Sequence, residues 1–250
     1  MVKKTTPIPI TQPLTGPIDC ACVIHGDGYS WDYVERLYNM LQRHITPGIR
    51  LHVYTEASRS VPDHMIKHEL YDWGIGGPRR SWWYKLQLFD STHFTGPMLY
   101  FDLDVVIARN IDWIWQLPLD NFWCLRDFKS LWRPTQYVIN SSVMWFHTQR
   151  YQHIYDSFKR ENLEQVFRKY HGDQDYITQV VNPTERRFFD QERIKSWRWQ
   201  CKDGGWDFKR RIYLAPNTGT VIPEKTSVLV FHGKPKPGEV QDPVITQHWQ

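Results

Sequence analysis

The sequence predicts an α/β fold in which a mostly parallel central sheet is flanked by helices. Two apolar runs, residues 20–25 and 51–55, enclose a segment with helical spacing, which predicts a strand, a helix and a second strand. A connection of that length fits parallel pairing of the two strands. The chain has 250 residues, 41% of them hydrophobic, so it can bury a full core.

The first helix is predicted to begin near Ser30, whose hydroxyl can cap it, and to end before Pro47-Gly48. A turn at Gly26-Asp27-Gly28 separates this helix from the first strand. The apolar residues that repeat at helical spacing are Tyr33, Val34, Leu37, Tyr38, Leu41 and Ile45. The first quarter of the chain therefore has the pattern of half a nucleotide-binding fold.

The rest of the chain continues to alternate strands and helices. Residues 98–107 predict one buried strand that carries two carboxylates, and residues 148–170 predict a helix with charged faces. Residues 182–220 show an irregular pattern. The other predicted elements are helices at residues 81–90 and 176–181 and strands at residues 122–126, 138–146 and 227–231.

We expect a single domain at residues 20–250, after an irregular leader at residues 1–19. Lysines and prolines interrupt this leader where a signal peptide needs an unbroken apolar segment, and no apolar run approaches the roughly 18 residues that cross a bilayer. The 4 cysteines include no CxxC pair, so we expect reduced thiols in a cytoplasmic protein without membrane insertion. The net charge of +4 is too small for a dedicated nucleic-acid binder, although it permits an anionic partner.

Two carboxylates, Asp102 and Asp104, stand two residues apart within the apolar run at residues 98–107. On an extended segment they point the same way, and two buried like charges need a cation to neutralise them. A hard divalent ion with oxygen ligands is the simple solution, and a nucleotide diphosphate would complete its shell. The alternative is a solvated strand end. The apolar residues on both sides favour the metal site.

Seven segments carry a resemblance to a known family. In chain order they are Val23-Ile24-His25-Gly26-Asp27-Gly28-Tyr29, Tyr54-Thr55-Glu56, Trp83-Tyr84-Lys85-Leu86, Asp102-Leu103-Asp104, Asn140-Ser141-Ser142-Val143, Asp173-Gln174-Asp175 and Phe231-His232-Gly233-Lys234-Pro235. As an ordered set they resemble the GT-A-fold glycosyltransferases of family 8 and its small bacterial and phage relatives. The resemblance covers about residues 20–240.

The resemblance implies a role for each segment. It assigns the nucleotide-sugar donor to His25, Tyr29, Thr55, Glu56, Lys85, Asp102, Lys234 and Lys236, a Mn²⁺ or Mg²⁺ ion to Asp102, Asp104 and His232, and the donor sugar with the reacting centre to Asn140, Asp173, Gln174 and Asp175. The sequence departs from the family where Glu56 replaces Asp and where Lys85 stands in place of a frequent Arg. The C-terminal element is also shorter, which leaves open whether Lys234 or Lys236 contacts phosphate. Without the resemblance, Asp173-Gln174-Asp175 would equally fit a helix cap.

The resemblance implies a metal-dependent glycosyltransferase that moves a hexose from a UDP-linked donor such as UDP-glucose, with retention of configuration. The acceptor would be a hydroxyl of a hydroxymethylated pyrimidine in phage-type DNA, or of a cell-surface glycan, in a bacterial or phage-infected cell. Two other classes remain open. One is a non-catalytic carbohydrate-binding module that uses the Trp-rich surface, and the other is a metal-dependent phosphodiesterase or nucleotidyltransferase.

Residues 186–211 mix basic and aromatic side chains in a sequence that contains 13 Trp, 13 Tyr and 12 Phe. Such interleaving suits phosphate contacts combined with ring stacking. On a DNA acceptor, Arg193, Lys195, Trp197 and Arg198 are the first candidates for contact. The alternative is a surface meander in which Trp197 and Trp199 cover the core, and the two interpretations have equal weight.

Overall fold

The computed structural model describes residues 16–75, 81–135 and 137–250. The predicted leader at residues 1–19 therefore lies mostly outside the described residues. In the described part the strands are β1 (Ile18–Val23), β2 (Ile49–Thr55), β3 (Ile66–Glu69), β4 (Pro97–Phe101), β5 (Val105–Ile107), β6 (Phe122–Arg126), β7 (Ile139–His147), β8 (Arg186–Phe188), β9 (Ile194–Ser196), β10 (Trp206–Asp207), β11 (Ile212–Tyr213) and β12 (Val228–Val230).

Helices connect and cover these strands. The α-helices of the described chain are α1 (Asp32–His44), α2 (Thr148–Arg160), α3 (Leu163–Lys169), α4 (Asp173–Val180) and α5 (Pro243–His248). Tighter 3₁₀ turns occupy Ser81–Phe89, Phe128–Leu131 and Pro237–Glu239, and a short π-helix occupies Trp197–Cys201. No helix among the described residues is long and apolar enough to cross a membrane.

The main sheet of the described chain has the strand order β3-β2-β1-β4-β7-β6-β8. β1 pairs in parallel with β2 and β4, and β2 pairs in parallel with β3. β7 is antiparallel to both of its neighbours, whereas β8 is parallel to β6. The predicted parallel strand, helix and strand at the start of the chain are confirmed, as is the mainly parallel α/β class.

The core lies on both faces of this sheet because successive residues of a strand point to opposite sides. Leu99 and Phe101 of β4 pack with the apolar face of α1. Met98 and Tyr100 pack on the other face, with α2, α4 and the turn at Ser81–Phe89. All four cysteines are buried and free, as expected of reduced thiols.

The predicted strand at residues 98–107 is wrong as a single element. It breaks after Phe101, and Asp102-Leu103-Asp104 forms a turn before β5. The break arises because β4 pairs with β1 and β7, whereas β5 belongs to a second small sheet in which β12 lies between β5 and β9. The two carboxylates therefore lie on a turn between two sheets rather than on one strand face.

Other differences between the predicted and the observed elements have local causes. The predicted helix at residues 148–170 is two helices, because the Asn162 side chain accepts a hydrogen bond from Gln165 N at 3.2 Å and begins α3 anew. Trp31, rather than Ser30, occupies the N-cap of α1. The segment Ser81–Phe89 is helical as predicted but of the 3₁₀ type. β3 was not predicted, because its sequence, IKHE, does not alternate in hydrophobicity.

Three histidines from β2, β3 and the loop before β4 stack at one edge of the main sheet. His52 Nδ1 lies 2.8 Å from His68 Nε2, and the other ring nitrogen of His52 lies 2.9 Å from the carboxylate of Asp19. The His68 ring stacks on Tyr54 at 4.5 Å and on His93 at 5.8 Å between ring centroids. Burial, and then the nearby His52 and His93, lower the pKa of His68 to about 4.

We expect this cluster to make folding less favourable in mild acid. His68 has a pKa near 6.5 in an unfolded chain, so between pH 6.5 and pH 4 the unfolded chain binds more protons and the free energy of unfolding falls as the pH falls. Replacing His68 with Gln should reduce this fall. Urea unfolding at about pH 7.5 and pH 5 measures it, and an equal fall in both proteins would contradict the expectation.

Candidate active site

The predicted site residues follow parallel strands at one edge of the main sheet. His25 follows β1, Glu56 follows β2 and Asp102 follows β4. Because these three strands are parallel, their carboxyl ends meet at the same edge, where open α/β sheets bind their ligands. The fold therefore brings the three segments together.

Asp102 is held by two donors in the core. Lys85 Nζ lies 2.8 Å from Asp102 Oδ1, and the Tyr100 hydroxyl donates a hydrogen bond to the same oxygen at 2.6 Å. Burial raises the pKa of Asp102, but the charge and hydrogen bond of Lys85 outweigh it, and the pKa lies below its usual value. Asp102 is therefore ionised at neutral pH.

Lys85 joins Asp102 to the start of α4. Its ammonium lies 3.3 Å from Asp173 Oδ2 and donates to Ser141 Oγ at 3.0 Å, and Ser141 in turn donates to Asp173 at 2.6 Å. Burial lowers the pKa of Lys85, but the two carboxylates outweigh it and raise the pKa above its usual value. One buried cation thus balances the buried Asp173 and the partly buried Asp102.

Asp104 has a separate cation. The Lys236 ammonium forms an ion pair with Asp104 Oδ2, and the Tyr29 hydroxyl donates to the same oxygen at 2.9 Å. Burial, and then the neighbouring charge of Asp102, raise the pKa of Asp104 despite Lys236. The negative charges of Asp102 and Asp104 repel each other. Because Lys85 is shared between Asp102 and Asp173, the turn has less positive than negative charge.

The strand β12 delivers His232 to the same region. Phe231 N, one residue earlier, donates to the Asp104 carbonyl oxygen at 3.1 Å. The His232 imidazole, however, lies 2.6 Å from Ser196 Oγ and packs against Phe128 and Trp199. Burial lowers the pKa of His232 to about 4, with Arg198 and Lys236 contributing, so the imidazole is neutral at pH 7.

The donor set at the turn suits a divalent cation in part. Asp102 and Asp104 offer oxygen ligands of the kind that Mg²⁺ and Mn²⁺ prefer, and their mutual repulsion favours added positive charge. Across residues 16–75, 81–135 and 137–250, no group of three His, Cys, Asp or Glu side chains is assembled that could hold a metal ion. The two aspartates thus fit an ion whose remaining ligands come from a substrate.

A cleft of about 580 Å³ opens beside the ends of β1 and β2. The His25 ring, on its wall, stacks on Tyr84 at 3.8 Å. Glu56 receives hydrogen bonds from Arg59 at 3.0 Å, from the Thr55 hydroxyl at 2.8 Å and from Gly26 N. Burial raises the pKa of Glu56, but these donors lower it to about 2, so Glu56 is ionised and forms an ion pair with Arg59.

The segment Asp173-Gln174-Asp175 forms the first turn of α4. Gly172 is the N-cap, and Asp173 points to Lys85 rather than capping the helix. Asp175 accepts a hydrogen bond from the N–H of His171, one residue before the N-cap, at 3.1 Å, and no side chain caps the helix itself. Gln174 Nε2 reaches Asp127 Oδ2 at 3.4 Å.

Solved glycosyltransferase structures share this architecture. An active-site mutant of LgtC is 15% identical with a TM-score of 0.61, and the match covers 90% of this chain and 91% of that one. GlyE of Streptococcus pneumoniae TIGR4 is 12% identical with a TM-score of 0.62, over 94% of this chain and 59% of GlyE. WbbM, a bifunctional glycosyltransferase, is 11% identical with a TM-score of 0.59, over 96% of this chain and 52% of WbbM.

The chain has the GT-A glycosyltransferase fold. The fold predicted from the resemblance is confirmed. The chain spans little more than half the length of the GlyE and WbbM chains that it matches. No protein-family model matches the sequence, and no curated protein is significantly similar to it.

The GT-A fold brings most of the predicted site residues together and separates a few. Asp102, Lys85 and Asp173 form one contact group, and Asp104 with Lys236 and Tyr29 forms another. Lys234 instead pairs with Glu239, and its side chain is 75% exposed. Asn140 is buried and accepts a hydrogen bond from Ser142 N at 3.0 Å, which shapes the strand beside Ser141.

The candidates for DNA contact at residues 193–198 are wrong in part. Trp197 is a core residue, with its indole nitrogen donating to Thr220 Oγ1 at 2.8 Å. Lys195 is buried and pairs with Glu192. The meander interpretation is therefore correct for Trp197, because β9 pairs in parallel with β12 and turns this segment inward.

Two residues of the site were missed by the sequence analysis. Tyr100 precedes Asp102 by two residues and was read as an apolar strand residue, although its hydroxyl holds Asp102. Ser141 was quoted only as part of a motif, yet it bridges Lys85 and Asp173. The spacing of two between Tyr100 and Asp102 was the available signal.

Replacing Lys85 with Met should lower the free energy of unfolding by roughly 3 to 5 kcal/mol, because it leaves Asp102 and Asp173 buried without their cation. Urea unfolding measures this change. The matched control is Lys159→Met on the exposed face of α2, which should change the free energy by less than about 0.5 kcal/mol. Similar stabilities for the two variants would show that Lys85 does not balance the buried charge.

Proposed function

We propose that this chain is a metal-dependent glycosyltransferase that moves a hexose from a UDP-linked donor to a hydroxyl group of an acceptor, in the cytoplasm of a bacterial or phage-infected cell. The observation that carries the proposal is the pair of aspartates, Asp104 buried and Asp102 partly buried, with the cations Lys85 and Lys236 at the carboxyl edge of parallel strands. LgtC, a galactosyltransferase of this fold, has been solved with donor and acceptor sugar analogs. A carbohydrate-binding module has no need of such a buried charge cluster.

The donor site is proposed in two parts. The cleft beside His25 and Glu56 takes the nucleoside, with the stacked rings of His25 and Tyr84 offering a flat face and the ionised Glu56 a hydrogen-bond acceptor. The diphosphate lies toward the two aspartates. Asp102 and Asp104 would hold a Mn²⁺ or Mg²⁺ ion, which when bound neutralises charge on the diphosphate. The neutral His232 would join them as a ligand only on leaving Ser196 Oγ, from which it lies 2.6 Å away.

The proposed transfer needs groups on both sides of the bond that breaks. The acceptor oxygen bonds to the anomeric carbon, the bond from that carbon to the β-phosphate oxygen breaks with its electrons remaining on the diphosphate, and the hydroxyl proton is released. Lys236, already beside Asp104, stabilises the departing phosphate. The first turn of α4, with Gln174 and Asp175, faces the donor sugar, and Lys85 and Asn140 position it. Retention of configuration remains part of the proposal.

A donor screen tests the function without knowledge of the acceptor. The protein with Mn²⁺ is incubated with a panel of nucleotide sugars, and slow release of UDP is expected from a UDP-hexose. Asp104→Ala should abolish both this hydrolysis and Mn²⁺-dependent binding of UDP in calorimetry, because it removes an ion ligand.

The control for this screen is Asp156→Ala, which removes an exposed carboxylate from α2. It should hydrolyse the donor and bind UDP like the wild type. Unchanged UDP binding by a folded Asp104→Ala protein would show that the aspartate pair does not hold the ion. If no nucleoside diphosphate is released from any nucleotide sugar, the proposal that the chain is a glycosyltransferase is contradicted.

The two lysines after β12 should differ in effect. Lys236→Ala should lower turnover by about 10² to 10³-fold, about 2.7 to 4 kcal/mol, because its ammonium stabilises the leaving phosphate. Lys234→Ala should keep turnover within about threefold, since the Lys234 side chain is exposed and bound to Glu239. The rate of UDP release measures both. Equal effects of the two substitutions would contradict the assignment to Lys236.

A further inference from the structure

Three aromatic side chains from separate segments meet at the surface beside the candidate site. Trp132 stacks on Phe208 at 4.3 Å between ring centroids and meets Trp199 edge to face at 4.7 Å. Phe208 and Trp199 are 5.8 Å apart. All three side chains are partly exposed. We refer to Trp132, Trp199 and Phe208 as the ring cluster.

The ring cluster adjoins the residues that are proposed to handle the donor. Trp199 contacts the His232 ring at 4.1 Å. On its other side, Trp132 directly follows the 3₁₀ turn at Phe128–Leu131, whose N-cap Asp127 is reached by Gln174 at 3.4 Å. A molecule on the ring cluster would therefore lie next to both the proposed ion site and the first turn of α4.

Basic side chains border the ring cluster on both of its segments. Residues 127–133 and 197–213 together contain seven Lys and Arg against three Asp. Lys129, Arg133, Lys209 and Arg211 are exposed. None of these four forms an ion pair within the described residues, whereas Arg210 pairs with Asp207. The surface thus carries unneutralised positive charge next to flat apolar rings.

Each of the three aspartates of these segments accepts backbone hydrogen bonds through one of its two carboxylate oxygens. Asp127 accepts from Lys129 N at 2.7 Å, Asp203 accepts from Gly219 N at 3.0 Å, and Asp207 accepts from Lys209 N and Arg210 N at 2.9 Å. A sugar would stack on the same rings, but it carries no charge for the basic border to neutralise. The seven cations of these segments outnumber the three carboxylates, and cations beside rings suit phosphates and nucleobases.

We propose that the ring cluster and its basic border bind the acceptor, and that the acceptor is a nucleic acid strand whose exposed base stacks on the rings while its phosphates meet the lysines and arginines. This inference rests on the proposed glycosyltransferase function, because only a transferase has an acceptor. The strand must present its base outside a duplex, because the rings can stack only on an exposed face of a base. The binding surface takes Trp199 and Phe208 from the stretch at residues 186–211 indicated by the sequence, adds Trp132 from a separate segment, and leaves out the buried Lys195 and Trp197.

The proposal is tested by binding alone, with no donor present. Fluorescence anisotropy with a labelled 12-nucleotide oligo-dT should show saturable binding, and an abasic strand of the same length should bind about 10-fold more weakly because it offers no base to stack. Trp132→Ala and Phe208→Ala should each weaken binding of oligo-dT about 10-fold and reduce its advantage over the abasic strand.

A charge variant keeps the test independent of packing. Lys129→Gln with Lys209→Gln changes two exposed side chains, and should lower the slope of log affinity against log salt by about 1.4, since each phosphate contact on a single strand contributes about 0.7. The matched control, Arg160→Gln with Arg168→Gln, removes two exposed charges from α2 and α3 and should leave the slope unchanged.

Each result decides the proposal. Equal binding of oligo-dT and the abasic strand, or equal salt slopes for the charge variant and its control, would overturn it. Saturation of the tryptophan fluorescence by oligosaccharides with no binding of oligo-dT would assign the surface to a glycan and also overturn it. This binding assay needs neither UDP-sugar nor Mn²⁺, so it is independent of the donor screen. UDP release without oligo-dT binding would overturn the nucleic-acid surface and support the enzyme. Binding of oligo-dT without UDP release would support the surface and contradict the enzyme.

Discussion

The buried ammonium of Lys85 is the contact on which the arrangement of the site depends. It joins three separate elements: the turn at Ser81–Phe89, the end of β4 through Asp102 and the start of α4 through Asp173. Two carboxylates without this cation would carry a large desolvation cost in the core. Ser141 on β7 hydrogen-bonds to both Lys85 and Asp173, so one network of charges and hydrogen bonds connects β4, β7 and α4.

The negative charge of Asp104 is neutralised less completely by Lys236. The pKa of Asp104 is raised by burial and by Asp102 even though Lys236 is in contact. Asp102, by contrast, keeps its charge because Lys85 and Tyr100 both donate to it. The turn thus combines one firmly ionised carboxylate with one that would gain from further positive charge. This asymmetry suits a site that receives a cation together with an anionic substrate.

The sequence predicts well those features that depend on local pattern. The spacing of Tyr33, Val34, Leu37 and Leu41 predicts α1, and the apolar runs around it predict β1 and β2 in parallel. The break at Asp102 could not be predicted in this way, because it results from pairing of β5 with β12, more than a hundred residues later. The resemblance identified Lys85 and Asp173, but their contact needed the tertiary structure. Aromatic composition did not separate the buried Trp197 from the surface ring Trp132, because both lie in segments without regular period.

The ion pair between Asp104 and Lys236 joins residues that are 132 positions apart in the sequence. The backbone hydrogen bond from Phe231 N to the Asp104 carbonyl joins residues almost as far apart. Contacts of this range form after local ones, because closing a long loop costs more entropy. During synthesis, β1, α1, β2 and β4 leave the ribosome well before β12 exists. A nascent chain can therefore build most of its sheet while its acidic turn still lacks Lys236, so the site is completed only after Lys236 has been synthesised.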